Sequence, residues 1–225
     1  MTHHPDFEWL EQYSAGTLSV GPALCVSVHL SLCAQCRRQV ATIQQVGGAL
    51  LAEIGRPHVD DSLLQNVLAA IDGASEDSDA AVNGAPAVID AGSPRAANPA
   101  QIPTPLRRLI PGGYDQLAWS RVMPALRIAA LDVGDNDFRV TLHRVVAGGK
   151  MPTHDHRGCE VTLVLTGSFS DDAGLYKVGD FLVREPKQPH QPMATQDQEC
   201  ICLAALAAPV YFTGPLLRWL NPFVR

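Results

Sequence analysis

The spacing of apolar residues divides the chain into a helical first third and a strand-rich second half. Before residue 72, apolar side chains recur every three or four positions, which is the period of an amphipathic helix. Four helices are predicted: residues 5–15 with Pro5 in the first turn, a second helix capped by Thr17 or Ser19 and ending near Leu30, a third from Cys36 to before Pro57, and residues 62–71. The fourth is short, and its broad apolar stripe must pack against this domain or a partner.

Beyond residue 106 the pattern changes to alternation of apolar and polar residues, which is typical of half-buried strands. The predicted strands are residues 126–131, 138–146, 160–170, 175–185 and 199–203, separated by turns rich in Gly, Asp and Pro. Many short strands of this kind indicate a small β-barrel or jelly roll. Residues 72–105 contain no aromatic side chain and many Ala, Gly, Ser and Pro residues, so we predict a linker there.

Composition narrows the possible functions. At 225 residues, 46% of them apolar, the chain is long enough for two domains with real cores. Its net charge of −6 argues against direct nucleic-acid binding. We predict no signal peptide and no membrane span, because the first residues have no basic flank and no stretch approaches about 18 apolar residues. In a reducing cytoplasm, the six cysteines are expected to be thiols or metal ligands.

A first group of metal-binding residue types lies near the amino terminus, at His29, Cys33 and Cys36. A helix that ends before a tight turn would bring the three side chains together. Two thiolates and one imidazole are a structural zinc set that lacks one ligand, and His3 and His4 are the nearest candidates for the fourth. A thioredoxin-like redox pair would need a preceding strand, whereas the pattern predicts a helix. The alternative without a metal is that the two cysteines are small buried hydrophobes.

A second group lies at His154, His156 and Glu160. Residues i and i+2 of a strand face the same side, so the two imidazoles point the same way. A bend at Gly158 would let Glu160 reach the same ion. Two imidazoles and a carboxylate suit zinc, iron, nickel or manganese.

The amino-terminal part resembles the zinc-binding anti-sigma domains, and the whole chain is most similar to the ChrR-type anti-sigma factors of bacteria, which join such a domain to a cupin domain. The matching segments are His29-x3-Cys33-x2-Cys36, Tyr13 to Leu18 and Val46 to Leu50. The resemblance implies that His4 is the fourth zinc ligand, with His3 as the competing candidate. It also implies that three helices form a zinc-held bundle and that the fourth helps clasp an extracytoplasmic-function-type sigma factor.

The second half resembles the cupin superfamily. Gly148, His154, His156, Glu160 and Gly167 match the spacing of the first cupin motif fully. The second motif is matched only loosely, and from it the resemblance implies that His190 is a fourth ligand. A cupin without metal, its histidines satisfied by hydrogen bonds, is the alternative.

Together these features predict a two-domain α + β protein: a small zinc-stabilised amino-terminal helical bundle and a carboxy-terminal cupin β-barrel of the jelly-roll type. The boundaries are a zinc-binding anti-sigma domain at residues 1–85, a flexible linker at 86–105 and a cupin domain at 106–225. The predicted metal ligands are His4, His29, Cys33, Cys36, His154, His156, Glu160 and His190. Zinc is expected in the first site, and zinc or another divalent transition metal in the second.

The resemblance implies a cytoplasmic, non-enzymatic anti-sigma factor that binds its sigma factor one to one, without contacting nucleic acid or membrane. An oxidative signal, singlet oxygen or an organic hydroperoxide, sensed through the cupin domain, would release the sigma factor. The predicted sigma-binding residues are Leu63, Leu64, Val67, Leu68 and Ile71. One alternative is a dioxygenase-like cupin metalloenzyme with a helical regulatory domain. Another, a cupin that only binds a small molecule, leaves the first cluster unexplained.

Overall fold

The computed structural model of the chain describes residues 1–55, 59–73 and 102–214. The described part separates into two compact units. Residues 1–44 belong with residues 102–214, and residues 45–55 belong with residues 59–73. Pro57 and most of the predicted linker lie outside the described residues, and the predicted domain boundaries stay a prediction.

Four helices are observed where the pattern predicted them: α1 Phe7–Ala15, α2 Val20–Leu32, α3 Ala34–Glu53 and α4 Asp61–Asp72. The first begins later than predicted, because the Asp6 carboxylate accepts a hydrogen bond from the Trp9 N–H at 3.1 Å and caps it. Pro5 therefore precedes the helix. Ser19 stands at the start of α2 but makes no capping bond through its side chain. The α4 helix is capped by Asp60, whose carboxylate accepts from the Ser62 N–H at 2.8 Å.

The second and third helices approach each other more closely than predicted. The α2 helix continues to Leu32 and α3 begins at Ala34, so Cys33 alone separates them. The prediction that α2 ends near Leu30 and that α3 starts at Cys36 was wrong by two residues at each end. The short junction places Cys33 and Cys36 in one tight bend.

Eleven strands are observed in the described residues: β1 Ser120–Met123, β2 Leu126–Leu131, β3 Arg139–Val145, β4 His154–His156, β5 Glu160–Thr166, β6 Ser168–Asp171, β7 Gly174–Lys177, β8 Phe181–Arg184, β9 Met193–Ala194, β10 Cys200–Leu206 and β11 Val210–Phe212. The predicted strands 160–170 and 175–185 are each two strands. Gly167 and Gly179 break them, because their φ angles of +67° and +89° lie in a region that only glycine adopts readily. Strands β1, β9 and β11 were not predicted, whereas β4 is the strand on which the spacing argument placed His154 and His156.

The strands form antiparallel sheets that pack as a cupin-like sandwich. The six-stranded sheet has the order β1-β2-β3-β10-β5-β8, and smaller sheets are formed by β11-β4 and β7-β6-β9. Pairing within the described residues leaves these sheets open, so the predicted barrel is a sandwich without a closed ring of strands. The core runs along β10, where Leu203, Ala204 and Ala205 are fully buried.

The α2 helix shares its core with the six-stranded sheet. Cys25, Val26 and Val28 are fully buried and belong to the same hydrophobic cluster as Leu163 and Leu203. No local pattern predicted this shared core. It places the end of α2, which carries His29, directly against the strands.

No single helix in the described ranges is both long and apolar enough to span a membrane; α1 and α2 pass such a test only when joined across their 110° bend.

Candidate metal centres

The first cluster forms where α2 meets α3. His29 lies in the last turn of α2, and its carbonyl accepts the Cys33 N–H at 2.8 Å. The Cys36 N–H then lies 3.4 Å from Cys33 Sγ. All three residues are buried, so the helix junction alone brings two thiols and an imidazole together.

His4 reaches this group from the amino-terminal segment. Its Nδ1 lies 3.4 Å from Cys33 Sγ, 3.5 Å from Cys36 Sγ and 3.4 Å from His29 Nε2. The neighbouring His3 lies elsewhere: its ring packs against Tyr176 with centroids 4.8 Å apart. Of the two histidines that the spacing left open, the structure brings His4 into the cluster.

The geometry of the four side chains fits zinc. One ligand atom from each of His4, His29, Cys33 and Cys36 lies within 4.8 Å of all the others. Tetrahedral zinc with bonds of about 2.3 Å to sulfur and about 2.0 Å to nitrogen has ligand atoms about 3.3–3.8 Å apart. The contacts of 3.3 to 3.5 Å in the cluster match these edges.

Burial shifts the pKa values of two side chains of the first cluster, His29 and Cys36. It lowers the pKa of the His29 imidazole to about 4, so the ring is neutral and keeps a lone pair. Burial, followed by the neighbouring Cys33, raises the pKa of the Cys36 thiol to about 12. A divalent cation would supply the positive charge that thiolates need here.

The second cluster is built on β4, which carries His154 and His156 on one face. His190 is added by a backbone bridge, in which the His154 N–H and the His190 N–H donate to each other's carbonyls at 3.1 and 3.0 Å. One nitrogen from each of the three rings lies within 4.8 Å of the other two.

The rings are oriented as metal ligands usually are. The Nδ1 of His154 lies 2.9 Å from the Pro152 carbonyl, and that of His190 lies 3.3 Å from the Gln188 carbonyl. Donation from these nitrogens would leave each Nε2 unprotonated, a common arrangement behind metal-bound histidines. Both ring nitrogens of the buried His156 lack a hydrogen-bond partner among the described residues, an orphaned polar group that a metal ion would satisfy.

Glu160, the first residue of β5, lies beside His156, outside the group of three imidazoles whose nitrogens are all within 4.8 Å of one another. Its Oε2 lies 2.8 Å from His156 Nε2, although the alignment is not that of a hydrogen bond. Burial by itself would raise the pKa of the Glu160 carboxyl, but the nearby imidazoles, first that of His156, lower it to about 2. An anionic carboxylate beside three imidazoles is a donor set that fits a divalent transition metal.

Comparison with known proteins shows the family to which the chain belongs. Residues 112–209 match the family described as the ChrR cupin-like domain. Over 99% of its length the chain is 33% identical to the anti-sigma-E factor ChrR of Cereibacter sphaeroides, of which 98% is covered. The chain belongs to the ChrR family of anti-sigma factors. It also matches the crystal structure of Rhodobacter sphaeroides SigE in complex with the anti-sigma ChrR, with a TM-score of 0.74, 30% identity, and coverage of 91% of this chain and 98% of that one.

Membership of the ChrR family confirms the predicted resemblance and the predicted fold class. It also supports the prediction of a regulator rather than the alternative of a dioxygenase-like enzyme. Of the eight predicted ligands, the structure groups His4, His29, Cys33 and Cys36 at one place and His154, His156 and His190 at another, with Glu160 beside His156. Their role in holding metal stays a prediction.

In this ChrR-family chain, the second cluster opens into a cavity of about 1440 Å³ in the sandwich. His143 lines it, with its Nε2 3.0 Å from the Thr141 hydroxyl, and lies outside the three-histidine group. Cys200 and Cys202 share one face of β10, with their sulfurs 3.6 Å apart in the buried cluster around Val164.

Tyr176 and Cys159 also lie near the second cluster in the sequence, and both have structural contacts. The Tyr176 hydroxyl donates to Asp171 at 3.1 Å and accepts from Arg184 at 2.9 Å, so it is tied into an ion pair. Cys159 immediately precedes β5, is half-buried and packs against the larger core.

Proposed function

We propose that this chain is a cytoplasmic anti-sigma factor that binds an extracytoplasmic-function-type sigma factor one to one and represses transcription. An oxidative signal, singlet oxygen or an organic hydroperoxide, sensed through the cupin domain, releases the sigma factor. The observation that carries the proposal is the 33% sequence identity to an anti-sigma factor over 99% of this chain. The related ChrR was crystallised as a complex with SigE.

The proposed sigma-binding surface is the apolar face of α4. Its five large apolar residues are all between 45% and 64% exposed: Leu63, Leu64, Val67, Leu68 and Ile71. They lie at positions i, i+1, i+4, i+5 and i+8, which form one stripe on a helix. An apolar stripe of this size that stays exposed marks a protein-interaction surface, and an amphipathic helix set into a groove is a common way to use one.

The carboxy-terminal half of α3 and the residue after it carry further exposed apolar side chains. Val46, Leu50, Leu51 and Ile54 are each more than half exposed. They belong to the same compact unit as α4. The proposed contact therefore includes α4 and the end of α3, whereas the residues of the two candidate metal clusters belong to the larger unit.

The proposed zinc ligands His4, His29, Cys33 and Cys36 would tie the amino-terminal segment to the junction of α2 and α3. When bound, zinc supplies a four-way crosslink whose binding free energy adds directly to folding. The helices that precede the sigma-binding surface would then be held in one arrangement.

The sensing role is proposed for the cluster of His154, His156, Glu160 and His190. Metal-bound imidazoles and nearby thiols are sites that reactive oxygen species oxidise. A structural route to the zinc cluster supports this role. Strand β8 pairs with β5 so that Arg184 is opposite Glu160, and at its other end the Phe181 N–H donates to the His3 carbonyl at 3.0 Å.

The sensing role is tested by replacing His154 and His190 with alanine in the full chain and following release of bound sigma factor after treatment with tert-butyl hydroperoxide or photogenerated singlet oxygen. The double variant should bind sigma factor normally but fail to release it. His143→Ala, which changes a histidine of the same cavity outside the cluster, is the matched control. Normal release by the double variant would remove the metal cluster from the signalling step.

A further inference from the structure

The turn between β7 and β8 contacts the amino-terminal segment through a buried carboxylate. Asp180 is 1% exposed. Its Oδ1 accepts hydrogen bonds from the Thr2 N–H at 2.7 Å and from the His3 N–H at 3.1 Å. Its Oδ2 accepts from the Lys177 N–H of the same turn at 2.9 Å. One side chain thus holds the turn and the first residues of the chain together.

The backbone after Asp180 fixes the same segment from its other edge. The Phe181 N–H donates to the His3 carbonyl at 3.0 Å. With both its N–H and its carbonyl engaged, His3 is held like a residue in a strand. Consecutive Cα atoms are about 3.8 Å apart, so anchoring His3 leaves few torsions to place the ring of His4.

The same turn also contacts a second ligand of the first cluster. His29 Nδ1 lies 2.8 Å from the Gly179 carbonyl, which can only accept, so Nδ1 carries the proton. The other nitrogen, Nε2, then has its lone pair toward Cys36 Sγ, 3.3 Å away. A carbonyl behind a histidine in this way sets the tautomer and the ring orientation that a metal requires.

From these contacts we infer that residues 179–181 are positioning residues of the zinc centre. They orient His29 through the Gly179 carbonyl, and they hold His4 in reach through Asp180 and the Phe181 N–H. The inference rests on the proposed zinc site. It adds that residues 179–181, which lead into strand β8, partly determine the affinity of that site for zinc. Without these contacts, zinc binding itself would have to order the amino-terminal segment that carries His4, and the loss of conformational entropy would lower the affinity for zinc.

A zinc competition experiment on the full chain tests the inference. Asp180→Asn cannot accept from both the amino-terminal N–H groups and Lys177, because one oxygen becomes an NH₂ donor. Its zinc affinity at the first cluster, measured against a chromophoric chelator, should fall about 10- to 100-fold, as for other changes behind metal ligands.

Asp135→Asn is the matched control. The Asp135 carboxylate also joins the sheet to a helix, since its Oδ2 accepts the Gly21 N–H at 2.6 Å, but it is remote from the ligands. Asp135→Asn should leave zinc affinity unchanged. Equal losses in both variants would show a general loosening of the helices and would overturn the positioning role.

A measurement on the unaltered protein does not depend on how any variant folds. Long-range ¹H–¹⁵N NMR of the zinc-loaded chain should show His29 bound through Nε2 with a slowly exchanging Nδ1–H, and His4 bound through Nδ1. Binding of His29 through Nδ1 would overturn the inference even if Asp180→Asn failed to fold.

The outcomes separate this inference from the proposed function. If the unaltered chain binds no zinc at the first cluster, the zinc centre itself is wrong. If it binds zinc and Asp180→Asn binds it equally well, only the positioning role of the turn is refuted.

Discussion

Shortening Leu64 and Leu68 to alanine should weaken sigma-factor binding without removing zinc. The two side chains are four residues apart on α4 and are 62% and 45% exposed. Alanine is the strongest helix former, so the double variant keeps the helix while it removes most of the apolar surface at two positions.

The size of the effect follows from the area available. Burying a whole leucine side chain contributes about 1.5–3 kcal/mol, and roughly half of each of these two remains to be buried on binding. The double variant should therefore lose about 2 kcal/mol, which corresponds to an approximately 30-fold higher dissociation constant.

Titration calorimetry of the full chain with purified sigma factor measures this change. Gln65→Ala with Asn66→Ala is the matched control, because these exposed polar residues lie on the opposite side of the same helix. The control should bind as the unaltered chain does. If the leucine double variant keeps its zinc and helix content and its dissociation constant rises less than about threefold, the apolar face of α4 is not the contact surface.

Three further predictions concern the larger unit. Cys36→Ser should lose one bound zinc and lower the thermal stability of the helices, as metal analysis and circular dichroism would show, whereas Cys159→Ser outside the clusters should lose no zinc. Leu203→Ala should destabilise the fully buried core by about 2–5 kcal/mol in urea unfolding, and Leu175→Ala on an exposed strand by far less; equal effects would contradict the assigned core. Burial alone would raise the pKa of the Asp180 carboxyl, but the backbone hydrogen bonds that it accepts have the larger combined effect. The pKa is therefore below its ordinary value. The ionised Asp180 carboxylate therefore stabilises the fold above its unfolded pKa of about 3.9, and this stabilisation is lost as the pH falls through the lower pKa of the folded state. Asp180→Asn should be less stable than the unaltered chain at pH 7, and it should lose less stability than the unaltered chain on acidification.

The elements that the sequence predicted best are those with a complete local signal. Strand β2 was predicted with its observed bounds, and all four helices were found, because periodicity and capping residues act within a few positions. The splits at Gly167 and Gly179 were missed, since a glycine inside an alternating run does not reveal the sign of its φ angle. Strand β4 has only three residues, all polar, so no apolar alternation marks it, and only the spacing of His154 and His156 indicated a strand there.

The candidate ligands could be recognised from spacing because metal-binding residue types stand close together in the chain. What spacing could not decide was the choice between His3 and His4, which depends on how Asp180 and Phe181 hold the amino terminus. Those contacts join residues more than 170 positions apart and have no local pattern. The shared core of α2 with the sheet is missed for the same reason.

The shared core has a consequence for signalling. Because the Gly179 carbonyl meets His29 and strand β8 pairs with the strand that carries Glu160, the two candidate metal clusters are connected by β8 and the turn before it. A change at the second cluster has a direct structural path to the first, which does not pass through residues 72–105.

The central claim is tested most directly by mixing the full zinc-loaded chain with an extracytoplasmic-function-type sigma factor of its own genome and measuring the complex by size-exclusion chromatography with light scattering. We predict a one-to-one complex that prevents the sigma factor from joining core RNA polymerase, and whose amount falls when Cys33 and Cys36 are both replaced by serine. A folded, zinc-loaded chain that forms no complex with any such sigma factor would contradict the anti-sigma function.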